Sequence, residues 1–170
     1  MCLLEATSVS EGRGTTKPFE IFGAPWCDGK RLGADLMSLH LPGAIFRELG
    51  YEPTFHKGVH KLCGGVQLHV TDRSIFKPVL TGFAVLWAFR KQAISSGHVS
   101  QTPVPVVPDN PVKSDPVWAW RAPPYEYEWE KLSIVLLSGG PQWREMLDAG
   151  ATPQELATQW AKDEQNWLEH

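Results

Sequence analysis

The 170-residue sequence predicts a single α+β domain, with a mixed sheet of short strands, three to four helices and a long proline-rich surface loop. Two periodicities indicate this class. Val66, Leu68 and Val70 alternate with polar residues, as in a half-buried strand, whereas the leucines of residues 28–39 recur at helical spacing. Prolines recur throughout residues 95–124, which predicts an irregular, partly extended segment.

The N-terminal half is predicted to alternate short strands with one helix. Asp28 can cap the helix at residues 28–39, and Pro42-Gly43 ends it. Alternating or apolar segments predict strands on both sides of this helix. They lie at residues 2–4, 19–22, 44–47, 51–55 and 65–71. Gly50 separates the strand at 44–47 from the strand at 51–55.

The longest predicted helix runs from Ser74 to about Ala93. Pro78 is tolerated in its first turn, because backbone N–H groups there have no hydrogen-bond partner within the helix. We expect the apolar side of this helix to pack across the sheet. That side is formed by Val79, Phe83, Leu86 and Phe89.

The C-terminal part is predicted to contain one more strand and two helices. Residues 125–129 alternate aromatic and acidic side chains, as in a strand, and an apolar segment follows at 132–137. One helix is predicted at 141–149. The last helix begins at Thr152 with a capping box and carries an apolar stripe. The stripe is formed by Leu156, Trp160 and Trp167.

Composition and charge exclude several classes of function. A formal charge of -3 provides no electrostatic footprint for nucleic acid, and no segment has the roughly 18 apolar residues of a membrane span. No signal peptide is recognisable, and no pattern indicates a cofactor. Cys63, His69 and Asp72 are too scattered to predict a metal site.

Residues 10–26 form the part of the sequence that is least typical of a scaffold. Gly12 and Gly14 bracket Arg13, so the backbone can adopt left-handed conformations and approach a neighbouring segment closely. Two interpretations remain open: Glu11 and Arg13 pair to lock a tight turn, or the guanidinium binds a ligand carboxylate or phosphate. A dinucleotide-binding loop is excluded because no third glycine follows.

A second polar cluster lies on the predicted strand at 65–71. Gln67, His69 and Thr71 are expected to form a row with spacings of about 7 Å, and Asp72-Arg73 follows it. This row either lines a cleft or faces water. His69 suits hydrogen bonding to a ligand as well as acid–base chemistry, and nothing beside it selects between these roles.

Four separated motifs carry a more specific signal. They are Cys2-Leu3-Leu4-Glu5-Ala6-Thr7, Ser10-Glu11-Gly12-Arg13-Gly14-Thr15-Thr16-x-Pro18-Phe19-Glu20, Gly23-Ala24-Pro25-Trp26 and Cys63-Gly64-Gly65-Val66-Gln67-Leu68-His69-Val70-Thr71-Asp72-Arg73. In text and order they closely resemble the C-terminal portion of the bacterial exo-β-N-acetylmuramidase family, long catalogued as a domain of unknown function. The similarity runs through most of the chain.

The resemblance implies a glycoside hydrolase that removes N-acetylmuramic acid from the non-reducing end of peptidoglycan fragments. Such enzymes combine a larger Rossmann-like N-terminal domain, with a catalytic glutamate in a Glu-His-Gly motif, and a smaller C-terminal α/β domain that closes the active-site cleft. Residues 1–170 resemble only the second part and contain no Glu-His-Gly. We therefore expect one cleft-closing domain that is inactive without the N-terminal domain.

The two polar clusters supply the candidate site residues. Glycoside hydrolysis normally uses one carboxylic acid to protonate the leaving oxygen and a second group to activate water or attack the sugar. Glu11 is the candidate second carboxylate, and Arg13 is a candidate partner for the lactyl carboxylate of muramic acid; both roles are hypotheses. The full predicted substrate-binding set is Glu11, Arg13, Thr15, Gln67, His69, Asp72 and Arg73.

The resemblance also implies partners and an environment. The expected partners are a muropeptide or muramic-acid sugar and a Rossmann-like N-terminal domain, in the same chain or a separate one. Self-association is a further expectation, because the missing domain would leave apolar surface exposed. The alternative function is a non-catalytic module that binds peptidoglycan, another sugar or a protein. A bacterial cell-envelope or secreted location is suggested, where a Cys2–Cys63 disulfide could form.

Overall fold

The computed structural model describes residues 1–105 and 117–169, and its fold has the predicted α+β class. A short 3-10 helix at Cys2–Ala6 precedes the strands and α-helices. In chain order these are β1 (Ile21–Ala24), α1 (Gly29–Ser38), β2 (Ala44–Tyr51), β3 (Cys63–Val70), α2 (Pro78–Ser96), α3 (Ser133–Ser138), α4 (Gln142–Asp148) and α5 (Pro153–Leu168). The part of the predicted proline-rich loop that contains Pro108, Pro111 and Pro116 lies outside the described residues.

The sheet has the strand order β1-β3-β2, and both strand pairs are antiparallel. The structure therefore has an antiparallel sheet where a mixed one was predicted. Residues 52–62 alone join β2 to β3, and parallel neighbours would need a longer crossover connection. In the resulting register, Gln67 lies between Ile21 of β1 and Arg47 of β2, so these three residues share one face of the sheet.

Two predicted strands on either side of Gly50 are a single strand. Gly50 pairs with Gly64 and continues the ladder to Tyr51, where β2 ends. The predicted strand at 51–55 is therefore wrong beyond its first residue. Glycine is usually a weak strand residue, but here the facing strand also has a glycine, so the two backbones pair without side chains between them.

The first two predicted strands also differ from the structure. Residues 2–4 belong to the 3-10 helix, in which the amide of Leu4 donates to the carbonyl of Met1. The strand predicted at 19–22 begins only at Ile21, because Phe19 has a φ of 64° and lies in a turn. The alternating pattern of residues 19–22 therefore covers two residues of a turn and the first two residues of β1.

Residues 125–129 form a tight turn and not the predicted strand. The backbones of Tyr125 and Glu128 exchange hydrogen bonds of 2.9 and 3.0 Å, and Glu126 has a φ of 52°. Tyr127 is 95% exposed and Trp129 is 72% exposed. The alternation of aromatic and acidic residues thus lies on an exposed turn.

Helix α2 confirms the long predicted helix but begins four residues later. Asp72 accepts hydrogen bonds from the backbone and hydroxyl of Ser74, at 2.8 and 2.6 Å, which makes a separate turn before Pro78. Phe83, Leu86 and Phe89 are buried as predicted, whereas Val79 is 53% exposed. The first turn of α2 therefore lies outside the core.

The last predicted helices are α4 and α5, and the apolar segment before them is a further helix, α3. Helix α5 has the predicted capping box, because Thr152 accepts from the Glu155 amide while the Glu155 carboxylate accepts from the Thr152 amide. Leu156 is fully buried, but Trp167 is 82% exposed. The apolar stripe thus packs only along the first part of α5.

The core lies between one face of the sheet and helices α1 and α2. Phe22 and Val66 from the sheet, Leu32 from α1 and Phe89 from α2 are fully buried there. The Phe22 and Phe89 rings meet edge to face with centroids 6.3 Å apart, so α2 reaches the sheet as predicted. Over the described ranges, no helix has the length and apolar character needed to cross a membrane.

Close backbone packing makes a stability prediction. In Gly65→Ala, the new Cβ would collide with the carbonyl oxygen of Phe22 and lie 2.9 Å from the Cα of Gly23. We expect the free energy of unfolding, measured with urea, to fall by about 1–3 kcal/mol or more. The control is Gly33→Ala in α1, where the nearest atom is a Val66 methyl at 3.6 Å. It should be neutral or stabilising by up to about 1 kcal/mol; equal effects would contradict the prediction.

Candidate functional site

The centre of the site is the carboxylate of Glu11, whose side chain is only 1% exposed. Its Oε2 accepts a 2.8 Å hydrogen bond from Lys57 Nζ, which also donates to the carbonyl of Leu4 at 3.0 Å. Its Oε1 lies 3.0 Å from Arg13 Nε and 3.4 Å from His56 Nδ1, although neither approach has hydrogen-bond geometry. Three basic side chains thus surround one buried carboxylate.

Burial and the interaction with Lys57 determine which side chains of this cluster are charged. Burial opposes ionisation of Glu11, but the charge and the hydrogen bond of Lys57 outweigh it and hold the pKa of Glu11 below its usual 4.5. Burial lowers the pKa of His56 from 6.5, so its imidazole is neutral at pH 7. Burial likewise lowers the pKa of Lys57. The ion pair at the centre is therefore Glu11–Lys57.

The loop that carries Glu11 is held by close backbone contacts. Gly12 and Gly14 have φ values of 78° and 79°. A Cβ on Gly14 would lie 2.7 Å from the backbone nitrogen atoms of both Thr54 and Phe55, and the Gly14 carbonyl accepts from the Thr54 amide at 3.0 Å. Gly14 is required here because the loop packs directly on the segment that supplies His56 and Lys57, whereas a side chain on Gly12 would collide with the carbonyl oxygen of Ile21.

Arg13 connects this buried cluster to the surface. Its Nη2 lies 3.1 Å from Glu5 Oε1, and its side chain is 39% exposed. The guanidinium carbon is 5.4 Å from the centre of the Phe19 ring. The other oxygen of Glu5 accepts a 3.0 Å hydrogen bond from the Tyr125 hydroxyl. The tight-turn interpretation of Glu11 and Arg13 is thus realised, with one guanidinium face left at the surface.

A groove of about 560 Å³ lies on the other side of Phe19. Phe19 and Glu20 line it from the N-terminal loop, and His69 and Arg73 line it from β3 and the following turn. Glu20 is exposed, and a hydrogen bond from Lys17 holds its pKa below the usual value. The groove therefore presents a carboxylate, an imidazole, a guanidinium and an aromatic ring to the same space.

One residue of the polar row on β3, Gln67, forms hydrogen bonds with neighbouring side chains. Gln67 is only 5% exposed, accepts from Arg47 Nη2 at 2.8 Å and donates to Glu20 Oε2 at 3.4 Å. Of the two interpretations of this row, a face open to water therefore does not apply to Gln67. His69, two positions further, is half-buried at the groove, and Thr71 is exposed beyond it.

Two other predicted residues make local contacts. The Thr15 hydroxyl donates to the Gly12 carbonyl at 2.6 Å and accepts from the Lys17 amide at 3.2 Å, and Asp72 caps the Ser74 turn. The structure thus brings His69 and Arg73 together in the groove, and Glu11 and Arg13 in the adjacent cluster. Substrate binding by the predicted residues, and a catalytic role for Glu11, stay predictions.

Sequence reasoning missed the partners of Glu11. His56 and Lys57 lie 45 and 46 positions away in the sequence, in a loop with no motif or periodicity. The only available signal was the density of basic residues at 56–61. Glu20 was also missed, although it lies within the same motif as Arg13.

The cysteines and the acidic residues form no metal centre in the part of the chain described here, residues 1–105 and 117–169. All three cysteines are free thiols: Cys2 is exposed, whereas Cys27 and Cys63 are buried. The Cys2–Cys63 disulfide is thus not formed in this structure. Burial raises the pKa of Cys63 to about 12, so this thiol is protonated and unreactive at neutral pH.

Removing Lys57 should destabilise the fold strongly. Lys57→Met leaves the Glu11 carboxylate buried without its closest cation, which we expect to lower the free energy of unfolding by about 3–5 kcal/mol. The matched double variant, Glu11→Leu with Lys57→Met, removes both charges and should recover most of this loss. Urea unfolding followed by tryptophan fluorescence measures both. A double variant that is no more stable than the single one would contradict the prediction.

The same pair predicts acid sensitivity. Because the folded-state pKa of Glu11 lies below 4.5, its stabilisation is fully present above pH 4.5 and is lost as the pH falls through the folded pKa. The unfolding free energy of the double variant should therefore fall less steeply than that of the wild type below pH 4.5. Unfolding midpoints across this pH range measure the slopes, and equal slopes would count against the ion pair.

Comparison with known proteins identifies the family. The model of the family described as "Exo-beta-N-acetylmuramidase NamZ, C-terminal" matches residues 1–170. A curated relative, the peptidoglycan beta-N-acetylmuramidase NamZ of Bacillus subtilis (strain 168), is 55% identical over 84 residues, which are 49% of this chain and 20% of that protein.

A solved structure agrees with this family. The crystal structure of a DUF1343 family protein from Bacteroides fragilis NCTC 9343 superposes with a TM-score of 0.53 and 30% identity, covering 55% of this chain and 25% of that one. In both comparisons the chain spans a quarter or less of its relative. The motifs, the fold and the match over all 170 residues lead to one conclusion. This chain belongs to the family of C-terminal domains of NamZ exo-β-N-acetylmuramidases.

Proposed function

We propose that this chain forms one wall of the substrate cleft of a peptidoglycan exo-β-N-acetylmuramidase, and that it is inactive without a Rossmann-like N-terminal domain. The observation that carries the proposal is the family match over residues 1–170. The substrate would be a peptidoglycan fragment with N-acetylmuramic acid at its non-reducing end. The N-terminal domain could be supplied in the same chain or in a separate one.

The groove beside Phe19 carries groups that suit a sugar. Glu20 can accept from sugar hydroxyls, Arg73 can donate to hydroxyl or acetamido oxygens, and His69 can do either. Phe19 supplies an aromatic ring beside these groups. A few convergent polar groups beside an aromatic ring are typical of small-ligand sites.

The chemistry of hydrolysis assigns the proton donor to another domain. A glycosidase needs a carboxylic acid that reaches the leaving oxygen. Glu11 has a lowered pKa, is buried and faces Lys57, Arg13 and His56, so it is a poor proton donor in this structure. Its carboxylate lies 3.0 Å from Arg13 Nε and so helps to position that arginine. The sequence contains no Glu-His-Gly motif that could provide the donor.

The proposal predicts binding without turnover. The 170-residue chain alone should bind N-acetylmuramic acid, measured by NMR shifts of groove residues, and should leave a chromogenic N-acetyl-β-muramic acid glycoside intact. Adding a Rossmann-like domain of the family that carries Glu-His-Gly should restore hydrolysis. Hydrolysis by the chain alone would refute the proposed division of roles.

A variant pair localises the binding. Arg73→Ala should weaken binding of the sugar about tenfold, because it removes a charged donor from the groove. The matched control is Arg31→Ala, which removes an exposed arginine from α1 on another surface. Equal affinities for the two variants would show that the sugar binds elsewhere.

A further inference from the structure

Arg121 is a second arginine at this surface, and sequence analysis did not single it out. It lies in an extended segment whose backbone is held on both sides: the Arg121 amide donates to the Ala6 carbonyl at 2.8 Å, and the next amide donates to Val104. Its guanidinium carbon lies 5.0 Å from the centre of the Tyr125 ring. The backbone and the aromatic ring therefore hold this side chain in a defined position.

The guanidinium of Arg121 has no anionic partner among the residues that the structure describes. Within residues 1–105 and 117–169, no ion pair or hydrogen bond engages it, and its Nε is fully buried without a hydrogen-bond partner. Burying a charged donor without a partner is costly, so such groups are usually paired. The residue as a whole is only half-buried, so part of it lies at the surface.

Arg13 differs from Arg121 in this respect. Its Nε lies 3.0 Å from Glu11 Oε1 and its Nη2 lies 3.1 Å from Glu5 Oε1, so Arg13 forms ion pairs with two carboxylates, although its Nε, like that of Arg121, has no hydrogen bond. Glu5 is held in turn by the Tyr125 hydroxyl, whose ring lies against Arg121. The two arginines thus flank one Glu5–Tyr125 contact, and of the two it is Arg121 that has no carboxylate partner among the residues the structure describes.

The local charge balance also favours an anion. The charged side chains joined by these contacts carry three positive and two negative charges, which leaves one positive charge over. They are Arg13, Lys57 and Arg121 against Glu5 and Glu11. Besides burial and nearer charges, Arg121 contributes to lowering the pKa of both Lys57 and His56, which shows that its charge acts on this cluster.

The surroundings of Arg121 suit a sugar acid. The turn that begins at Tyr125 exposes two aromatic side chains, Tyr127 and Trp129. On the other side, the contact of Arg13 with Phe19 leads to the groove. Arg121 is thus linked to the groove through contacts that run from Tyr125 by way of Glu5 and Arg13 to Phe19, with an aromatic ring at each end.

We propose that Arg121 recognises a carboxylate of the substrate, the group that distinguishes N-acetylmuramic acid from N-acetylglucosamine. This inference rests on the proposed function. A guanidinium binds a carboxylate through two parallel hydrogen bonds, a geometry that a neutral sugar hydroxyl does not match. The carboxylate has two sources: the lactyl ether of the free sugar acid, or the first amino acid of an attached peptide.

The test measures the affinity of the 170-residue chain for three ligands by calorimetry. N-acetylmuramic acid carries the lactyl carboxylate, N-acetylmuramoyl-L-alanine carries its carboxylate on the peptide, and N-acetylglucosamine carries none. In Arg121→Met, which keeps an apolar stem against Tyr125, we expect about a tenfold loss for at least one acidic ligand and no change for N-acetylglucosamine. The acidic ligand that loses affinity identifies the source.

Two further variants separate recognition from folding. Arg121→Lys keeps the charge but not the two parallel donors, so it should recover part of the lost affinity if the fold is intact. Arg31→Ala removes a positive charge on another surface and should leave all three affinities unchanged. A uniform loss for all ligands in Arg121→Met would indicate a structural role and would overturn the inference.

The outcomes distinguish this inference from the proposed function. If the wild-type chain prefers the acidic ligands and Arg121→Met keeps that preference, the inference is wrong and the proposed function stands. If the wild-type chain binds none of the three ligands, the proposed sugar site fails and the role of Arg121 fails with it.

Discussion

The ion pair between Glu11 and Lys57 is the interaction on which this surface depends. Both side chains are almost fully buried, and their 2.8 Å contact joins two loops that are 46 positions apart in the sequence. A buried charge is tolerated only if it is paired. Movement of either loop would therefore leave Glu11 or Lys57 as an unpaired buried charge. The pair therefore fixes the position of Arg13, which lies next to Glu11 in the same loop.

Glycines allow the loops and strands to come this close. Gly14 packs on the backbone of residues 54 and 55, and Gly23 and Gly65 pair in the sheet where a side chain would collide with the neighbouring strand. The sheet is small, and one face packs on α1 and α2. The other face carries a small buried cluster of Ile21, Tyr51 and Cys63. Beside it, Gln67 is bound within the sheet and His69 reaches the groove.

The proposed function divides the work between two domains. In that proposal, the groove, Arg13 and Arg121 would form a binding wall, and the proton donor would come from the facing domain. Such an arrangement would separate recognition from chemistry. Arg13 is paired with Glu5 and Glu11, whereas Arg73 and Arg121 have no ion-pair partner among the described residues. A guanidinium without a carboxylate partner of its own is well suited to select an acidic sugar over its neutral analogue.

The sequence by itself determined the class of fold, the long helix, the capped last helix and the family, because these depend on local periodicity and on contiguous motifs. It also offered a Glu11–Arg13 pair as one of two interpretations. Only the tertiary structure decided that Lys57 neutralises Glu11, that Gln67 is covered, and that Arg121 has no ion-pair partner within residues 1–105 and 117–169. It also decided that residues 125–129 turn back instead of extending a sheet. These properties depend on contacts between distant segments and on burial, which no local pattern of residues encodes.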